Sequence, residues 1–502
     1  IIVYILDASL KFIRAYFLEL AAKKSDIVIS SLLYEKILNI KISHTPSSVG
    51  IFANHIKGFD QIRAFLTNAT LTLLVDIPFI IIFLLVISYI GGSIVLIPLI
   101  VIISILLLSM IINNYLQIEI EKSHHLYAKK NSILIETLSN LALFKSFGKI
   151  GWLKYKWENI NNTLVDQSLK TRLLSTTISI TTALLIQLNI VFIVIYGAYE
   201  INDVNLTMGG LIAIIILASR VVAPMGQLST LLTNYNDAKS AYHRLNTIMQ
   251  QPEDKILDKN YIELENLFHG TIEFKNVNFA YPNTIEPVIK DVSFKIEAGQ
   301  KVALIGRIGS GKSTLFKLML GYYTPTSGSI LYNGIDIHEI NPTTLRTSIG
   351  YVAQSSSLFS GTLYENLSVK SNPQDDEIQK ALKISGIDTM VQNSTLGLQM
   401  PVGETGAGFS GGQVQSIAIA RALVNNPSIL MFDEPTSALD QMSENILLSN
   451  LKDEIKNKTA LFVTQKKSVL DLVDEIIVMD NGEVYLHGPK DKVLEQLAKG
   501  VS

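Results

Sequence analysis

KVALIGRIGSGKST, residues 301–314, is an apolar run that breaks into a glycine-rich turn and then into a helix-forming stretch. The turn matches the spacing G-x-x-x-x-G-K-[ST] in full, through Gly306, Gly311, Lys312 and Ser313. Glycines let the backbone curl so that successive N–H groups point at one anion, and the helix that follows adds the positive end of its dipole. The lysine reaches the outer oxygens of a polyphosphate, and the hydroxyl after it ligates a divalent cation. The stretch predicts a strand, a phosphate-binding loop and a helix.

Further apolar runs extend this reading. SILMFDE (428–434) ends in two carboxylates, which are unfavourable at the end of a buried strand unless paired or metal-bound. Asp433 is placed to share a Mg²⁺ shell with Ser313, and Glu434 to orient or deprotonate an attacking water. FSGGQVQSIAIARALV (409–424) opens on Ser410, Gly411, Gly412 and Gln413 and runs into an amphipathic helix with Ile417, Ala420, Leu423 and Val424 on its apolar side. Its start is a second anion-binding helix terminus. One nucleotide does not need two cradles, so the second is expected to serve a nucleotide held by another molecule. ALFVTQKKSV (460–469) is a third short buried strand, stopping at Thr464 and Gln465.

The other half of the chain has a different character. With 502 residues there is room for two or more domains. Hydrophobic residues make up 48% and charged ones 17%, and the mean hydropathy is +0.32. Residues 77–118 contain no charged side chain. A membrane span takes about 20 apolar residues. Residues 77–118 therefore predict two spans joined at Gly91-Gly92, 173–199 a third, and 204–219 with the apolar stretch past Arg220 a fourth. IIVYIL (1–6) predicts the end of a fifth, continuing as an amphipathic helix through Asp7, Lys11 and Arg14.

Segment 119–172 carries nine Lys/Arg against five Asp/Glu, and 21–67 six against three, so these long loops face the cytoplasm. Residue 1 then falls on or near the outer side. The chain opens on Ile1 rather than Met, and a preceding span is expected. The predicted organisation is a transmembrane domain over 1–235, a linker over 236–268 and a soluble domain over 269–502. Asp76 and Arg220 lie at or inside predicted spans. They either pair along a translocation path or sit near helix ends and reach the interface. His124 and His125 are expected in a solvated loop. A net charge of −2 argues against a nucleic-acid partner, and zero cysteines exclude disulfides, zinc thiolate sites and cysteine nucleophiles.

Taken in order, Tyr281 in FAYP, GRIGSGKST, Gln354 in YVAQ, SGGQ, LMFDE and SALD (437–440) resemble the nucleotide-binding domain of an ATP-binding cassette (ABC) transporter. With the spans ahead of it, the resemblance covers nearly the whole chain. It implies a membrane α-helical bundle of six spans followed by an α/β P-loop ATPase domain, with ATP and Mg²⁺ as ligands. It also implies a dimer, most simply a homodimer, with two ATP molecules sandwiched between subunits. Carried over residue by residue, Tyr281 stacks on adenine and residues 306–314 wrap the phosphates. Gln354 touches Mg²⁺ and senses the membrane half. Ser410, Gly411, Gly412 and Gln413 clamp the γ-phosphate of the partner's ATP, and Asp440 crosses the dimer interface. Contacts to the cassette fall in turns near 47–53 and 147–153, although the same sequence fits plain helical extensions.

Longer phrases narrow the resemblance. GRIGSGKSTLFKLMLGYYTPTSGSILYNGIDI and LDLVDEIIVMDNGEV in the soluble half, with PSSVGIFA, TLLVDIPF and LTMGGLIA in the membrane half, are similar to bacterial type I secretion exporters. That group sits in the bacterial inner membrane, crossing it several times, with its nucleotide-binding domain in the cytoplasm. It joins a periplasmic adaptor and an outer-membrane channel to move an unfolded protein out. Members often carry an N-terminal peptidase-like domain, of which this sequence holds nothing. Export of lipids, peptides or small molecules is the alternative.

The sequence departs from the family pattern in places. Gln465 stands where the family usually has a histidine that bridges the γ-phosphate and the carboxylate matching Glu434. A carboxamide donates a hydrogen bond but neither becomes cationic nor relays a proton. Phe409 replaces the usual Leu, Val414 a basic residue and Thr405 an Arg. Slow or adequate hydrolysis in a homodimer, pairing with a different complete subunit, and a decayed copy are the three readings of Gln465. Retention of Lys312, Gln354, Ser410, Asp433 and Glu434 favours a working or slow exporter.

Overall fold

The structure, a computed structural model, describes residues 2–45, 58–67, 76–255, 259–262, 270–282, 284–369 and 372–499. It divides into two compact units, Ile1–Ile40 with Thr45–Pro252, and Lys41–His44 with Glu253–Ser502.

The first unit is helical: α1 (Ile2–Asn39), α2 (Ile77–Gly91), α3 (Leu96–Ser139), the short α4 (Leu141–Ser146), α5 (Ile150–Asn202) and α6 (Met208–Met249). A chain in lipid has no water to bond its backbone, which leaves continuous helix as the stable form for these apolar runs. The reversal between α2 and α3 falls at Gly91-Gly92, where Gly92 takes φ 53°. Thr207 caps α6 by accepting the Gly210 N–H. Ile87, Ile94, Ile105, Ile193, Ile214 and Val221 pack the centre. Gly197 of α5 lets Leu211 of α6 come close, since a Cβ there would stand 2.3 Å from Leu211 Cδ1. Phe79, Ile82, Leu85, Ile100, Leu107 and Ile195 point outward, as lipid-facing side chains do. Among the described residues three stretches are long and apolar enough to cross a membrane: Ile77–Ile112, which contains the glycine reversal, Ile150–Asn202 and Met208–Gly226.

Several local expectations change. α1 runs as one helix from Ile2 to Asn39. The basic segment 119–172 is not a loop: α3 and α5 continue through most of it and α4 joins them. His124 therefore lies on a helix, with Nε2 3.5 Å from Asp237 Oδ1, rather than in a solvated loop; His125 is exposed. Asp76 stands at the N-terminal end of α2 and Arg220 on an exposed face of α6, and they do not pair. Residues 236–249, assigned to a linker from sequence, are the last turns of α6, because no glycine or proline falls between Gly226 and Pro252. The turn predicted near 47–53 lies outside the described residues.

The second unit is α/β. A six-stranded sheet runs β12-β11-β3-β10-β9-β6, and a four-stranded antiparallel sheet runs β2-β1-β4-β5. In the larger sheet β3 (Lys301–Gly306), β6 (Ile349–Val352), β9 (Ile429–Asp433), β10 (Thr459–Val463) and β11 (Glu475–Asp480) are parallel, with β12 (Glu483–Pro489) antiparallel at one edge. The smaller sheet comprises β1 (Ile272–Phe279), β2 (Ile289–Ile296), β4 (Ser327–Tyr332) and β5 (Ile335–Asp336), and β7 (Gly361–Thr362) pairs with β8 (Pro401–Val402) alone. Strands β9 and β10 are buried at every position, which is why they read as unbroken apolar runs instead of alternating ones. Helix α7 (Lys312–Met319) follows β3, and α8 (Gly411–Leu423) and α9 (Gln441–Glu454) flank β9 in sequence.

Candidate functional site

Order and register bring the chemistry together. Val463 pairs with Leu304 on one side and with Asp433 on the other. The carboxyl ends of β3, β10 and β9 therefore lie side by side, where open α/β sheets place their ligands. The glycine-rich loop, Thr464-Gln465 and Asp433-Glu434 all leave the sheet at this edge.

The loop adopts the conformation its glycines permit. Gly306 has φ 151°, and a Cβ there would sit 2.1 Å from the Met479 carbonyl oxygen. Gly309 and Gly311 have φ 84° and 100°. Lys312 Nζ donates to Gly306 O at 2.9 Å, Arg307 O at 2.8 Å and Ser310 Oγ at 3.3 Å. Burial pushes the Lys312 ammonium down from its ordinary value, while Glu434 and Asp433 push it back up. Ile308 stands out at 95% exposed. Tyr281 Oη is 3.0 Å from Thr314 Oγ1, and its ring meets Tyr323 edge-on at 5.1 Å.

Asp433 is 3% exposed, and its Oδ1 has no hydrogen-bond partner among the described residues. Burial raises its carboxyl above the usual range, against hydrogen bonding from Ser313. A buried, unpartnered carboxylate oxygen beside a hydroxyl is a donor set suited to a hard divalent cation. Glu434 occupies a left-handed conformation, φ 50°. Its N–H donates to Val463 O at 2.9 Å, and Gln354 Nε2 donates to its Oε2 at 3.4 Å. Gln465 is exposed at the tip of β10, while Thr464 beneath it is 2% exposed and caps the Lys466 N–H.

Ser410 and Gln413 form a reciprocal capping box at the start of α8. No hydrogen bond joins 410–413 to 306–314 among the described residues. Gly412 packs against the Ala438 carbonyl, which a Cβ would approach to 3.1 Å. Asp440 caps α9, accepting from Ser443 N at 2.8 Å, and that bond holds its carboxyl below the usual range.

A residue that spacing alone did not reveal is Gln415, one turn into α8 and 3% exposed. Its Nε2 donates to Glu434 O at 2.9 Å, and its Oε1 accepts from Ala438 N at 2.8 Å. Three departures from the family pattern gather nearby. Thr405, Phe409 and Val414 line, with Gln354 and Gln415, one cavity of about 470 Å³. Thr405 holds φ 55°, a strained value for a β-branched residue.

A helical membrane bundle followed by a phosphate-loop α/β domain defines a membrane-embedded, nucleotide-driven machine. The chain belongs to the ABC transporter family. The family model "ABC transporter" matches residues 289–437, and "ABC transporter transmembrane region" matches 1–225. The leukotoxin translocation ATP-binding protein LktB of Mannheimia haemolytica is 31% identical over 497 residues, 98% of this chain and 70% of that protein. Its counterpart in Mannheimia glucosida matches to the same extent. The fold is that of a bacterial Atm1-family ABC exporter solved with ATP bound, with a TM-score of 0.85 at 24% identity over 95% of this chain and 84% of that one. The protein is an ABC exporter that couples ATP hydrolysis to transport across a membrane.

Proposed function

We propose that the chain is the inner-membrane ATPase and permease of a bacterial type I secretion route, moving an unfolded polypeptide. The observation that carries this reading is the similarity, along 98% of the chain, to proteins named for leukotoxin translocation. Its partners are a second copy of itself, a periplasmic adaptor, an outer-membrane channel and the secreted protein. The organisation is a transmembrane domain over 1–235, a connecting segment over 236–268, which begins as the last turns of α6 to Met249, and the cassette over 269–502.

The geometry supports a definite division of labour. Tyr281 flanks the base and residues 306–314 hold the phosphates; incoming oxygens replace the three loop oxygens that Lys312 Nζ contacts. Mg²⁺, held by Ser313, Asp433 and Gln354, would neutralise charge on the phosphates. Glu434 takes the proton of the attacking water, and Gln465 donates to the γ-phosphate. Ser410, Gly411, Gly412 and Gln413 have no bond to their own chain's phosphate loop. They complete the partner's site, and Asp440 stands at the interface.

Export activity tests the reading. The full chain in lipid vesicles should hydrolyse MgATP, and an unfolded polypeptide should stimulate it. Stimulation by lipid alone, with polypeptide silent, would move the assignment to lipid export.

A further inference from the structure

Arg346 lies outside every motif above, yet its guanidinium organises four groups. Nε donates to Leu320 O at 3.0 Å and Nη2 to Gly321 O at 3.1 Å. Nη1 pairs with Asp254 Oδ2 at 2.7 Å, and the cation lies 5.1 Å from the centre of the Tyr322 ring. Both side chains are largely enclosed, 26% and 18% exposed. Leu320 and Gly321 are the first residues past α7, so Arg346 places a positive charge on the negative end of the helix that begins with Lys312 and Ser313. Tyr332 Oη, fully buried, donates to Met319 O at 2.7 Å and completes the cap. The eight residues of α7 make a rod about 12 Å long. Asp254 comes five residues after α6 ends at Met249, a tether of at most about 18 Å.

We propose that the Asp254–Arg346 pair is a latch that couples the last membrane helix to the phosphate-binding helix, with Arg346 as a positioning residue. One planar guanidinium grips the segment leaving α6 on one edge and the carboxyl end of α7 on the other. A tilt of α6 is thereby delivered to the far end of the rod that carries Lys312, and a shift of α7 on nucleotide binding returns along the same path. Lysine, a point charge on a flexible stem, does not span these acceptors at once. The inference rests on the reading of the chain as an ATP-driven exporter.

Asp254→Asn separates a latch from a mere cap, because it removes the charged grip while Arg346 still holds Leu320 and Gly321. The experiment uses the full chain in lipid vesicles and measures MgATP affinity together with tryptic cleavage after Lys145, in the last turn of α4, and Lys149, just before α5, both exposed. In the wild type, MgATP should change the cleavage rate about fivefold or more. Asp254→Asn and Arg346→Lys should bind MgATP within about twofold of wild type and lose most of that response, since coupling and affinity are separate quantities. An undiminished response in Asp254→Asn overturns the latch. So does a loss of MgATP affinity beyond about tenfold, which would place the pair in the binding site itself. A wild-type chain whose cleavage ignores MgATP would sink the transport reading and the latch with it.

Discussion

Gln354 Nε2 donates to Glu434 Oε2 at 3.4 Å, while Gln465, one strand over, is exposed and does not share that carboxylate. The expected base thus has a neutral amide as its hydrogen-bond neighbour, and the tip of the adjacent strand β10 carries another. Neither can carry a proton away.

Turnover should follow from this. Glu434→Gln is expected to abolish ATP hydrolysis in vesicles, and Gln465→His to raise it by up to about 100- to 1,000-fold, the worth of one preorganised charge-assisted donor. The wild-type rate should show no inflection near the histidine range, whereas Gln465→His should acquire one near pH 6.5. A Glu434→Gln chain with undiminished turnover would remove Glu434 from its role.

The phosphate loop, β9 and the start of α8 were legible because their mechanics allow few residue types. Gly306, Gly309 and Gly311 occupy backbone conformations that side chains resist, and Asp433 ends a strand buried at every position. Gln415 and Arg346 were not legible. Each bonds carbonyls or carboxylates far away in sequence, Arg346 to Asp254 across 92 residues, and nothing in local periodicity reports which distant group a polar side chain will meet. Charge composition changes near residue 235, but the backbone continues as helix to Met249, since composition alone does not stop a helix.

Gln415 supports a second prediction. It holds the peptide of Glu434, whose φ of 50° costs about 1 kcal/mol for a non-glycine residue. Gln415→Ala releases that carbonyl and lets the carboxylate swing from its line of attack. The expected outcome is a fall in kcat of about tenfold, equivalent to about 1.4 kcal/mol, with KM for MgATP little changed. Steady-state kinetics separate the two; a rise in KM at constant kcat would show that Gln415 serves binding instead.

Glu444 supplies a pH-dependent prediction. It is 4% exposed on α9, accepting from Lys466 Nζ at 2.6 Å and from the Ser468 hydroxyl. Lys466 also donates to Thr436 O at 2.8 Å, so this carboxylate ties the segment after Gln465 to the turn that leads to Asp440. Burial pushes the Glu444 carboxyl up, but the bonds from Lys466 and Ser468 outweigh it and hold it below the usual range. A depressed folded-state value means that the unfolded chain binds the proton more readily. The pair's contribution is therefore fully present above the ordinary glutamate value of about 4.3 and is lost as pH falls through the lower folded value. Glu444→Gln removes the charge at every pH and should cost about 1–3 kcal/mol near neutrality. Thermal midpoints of wild type and variant should accordingly differ at pH 7 and converge below about pH 4. A gap that stays constant on acidification would mean that shape, and not ionisation, holds this junction together.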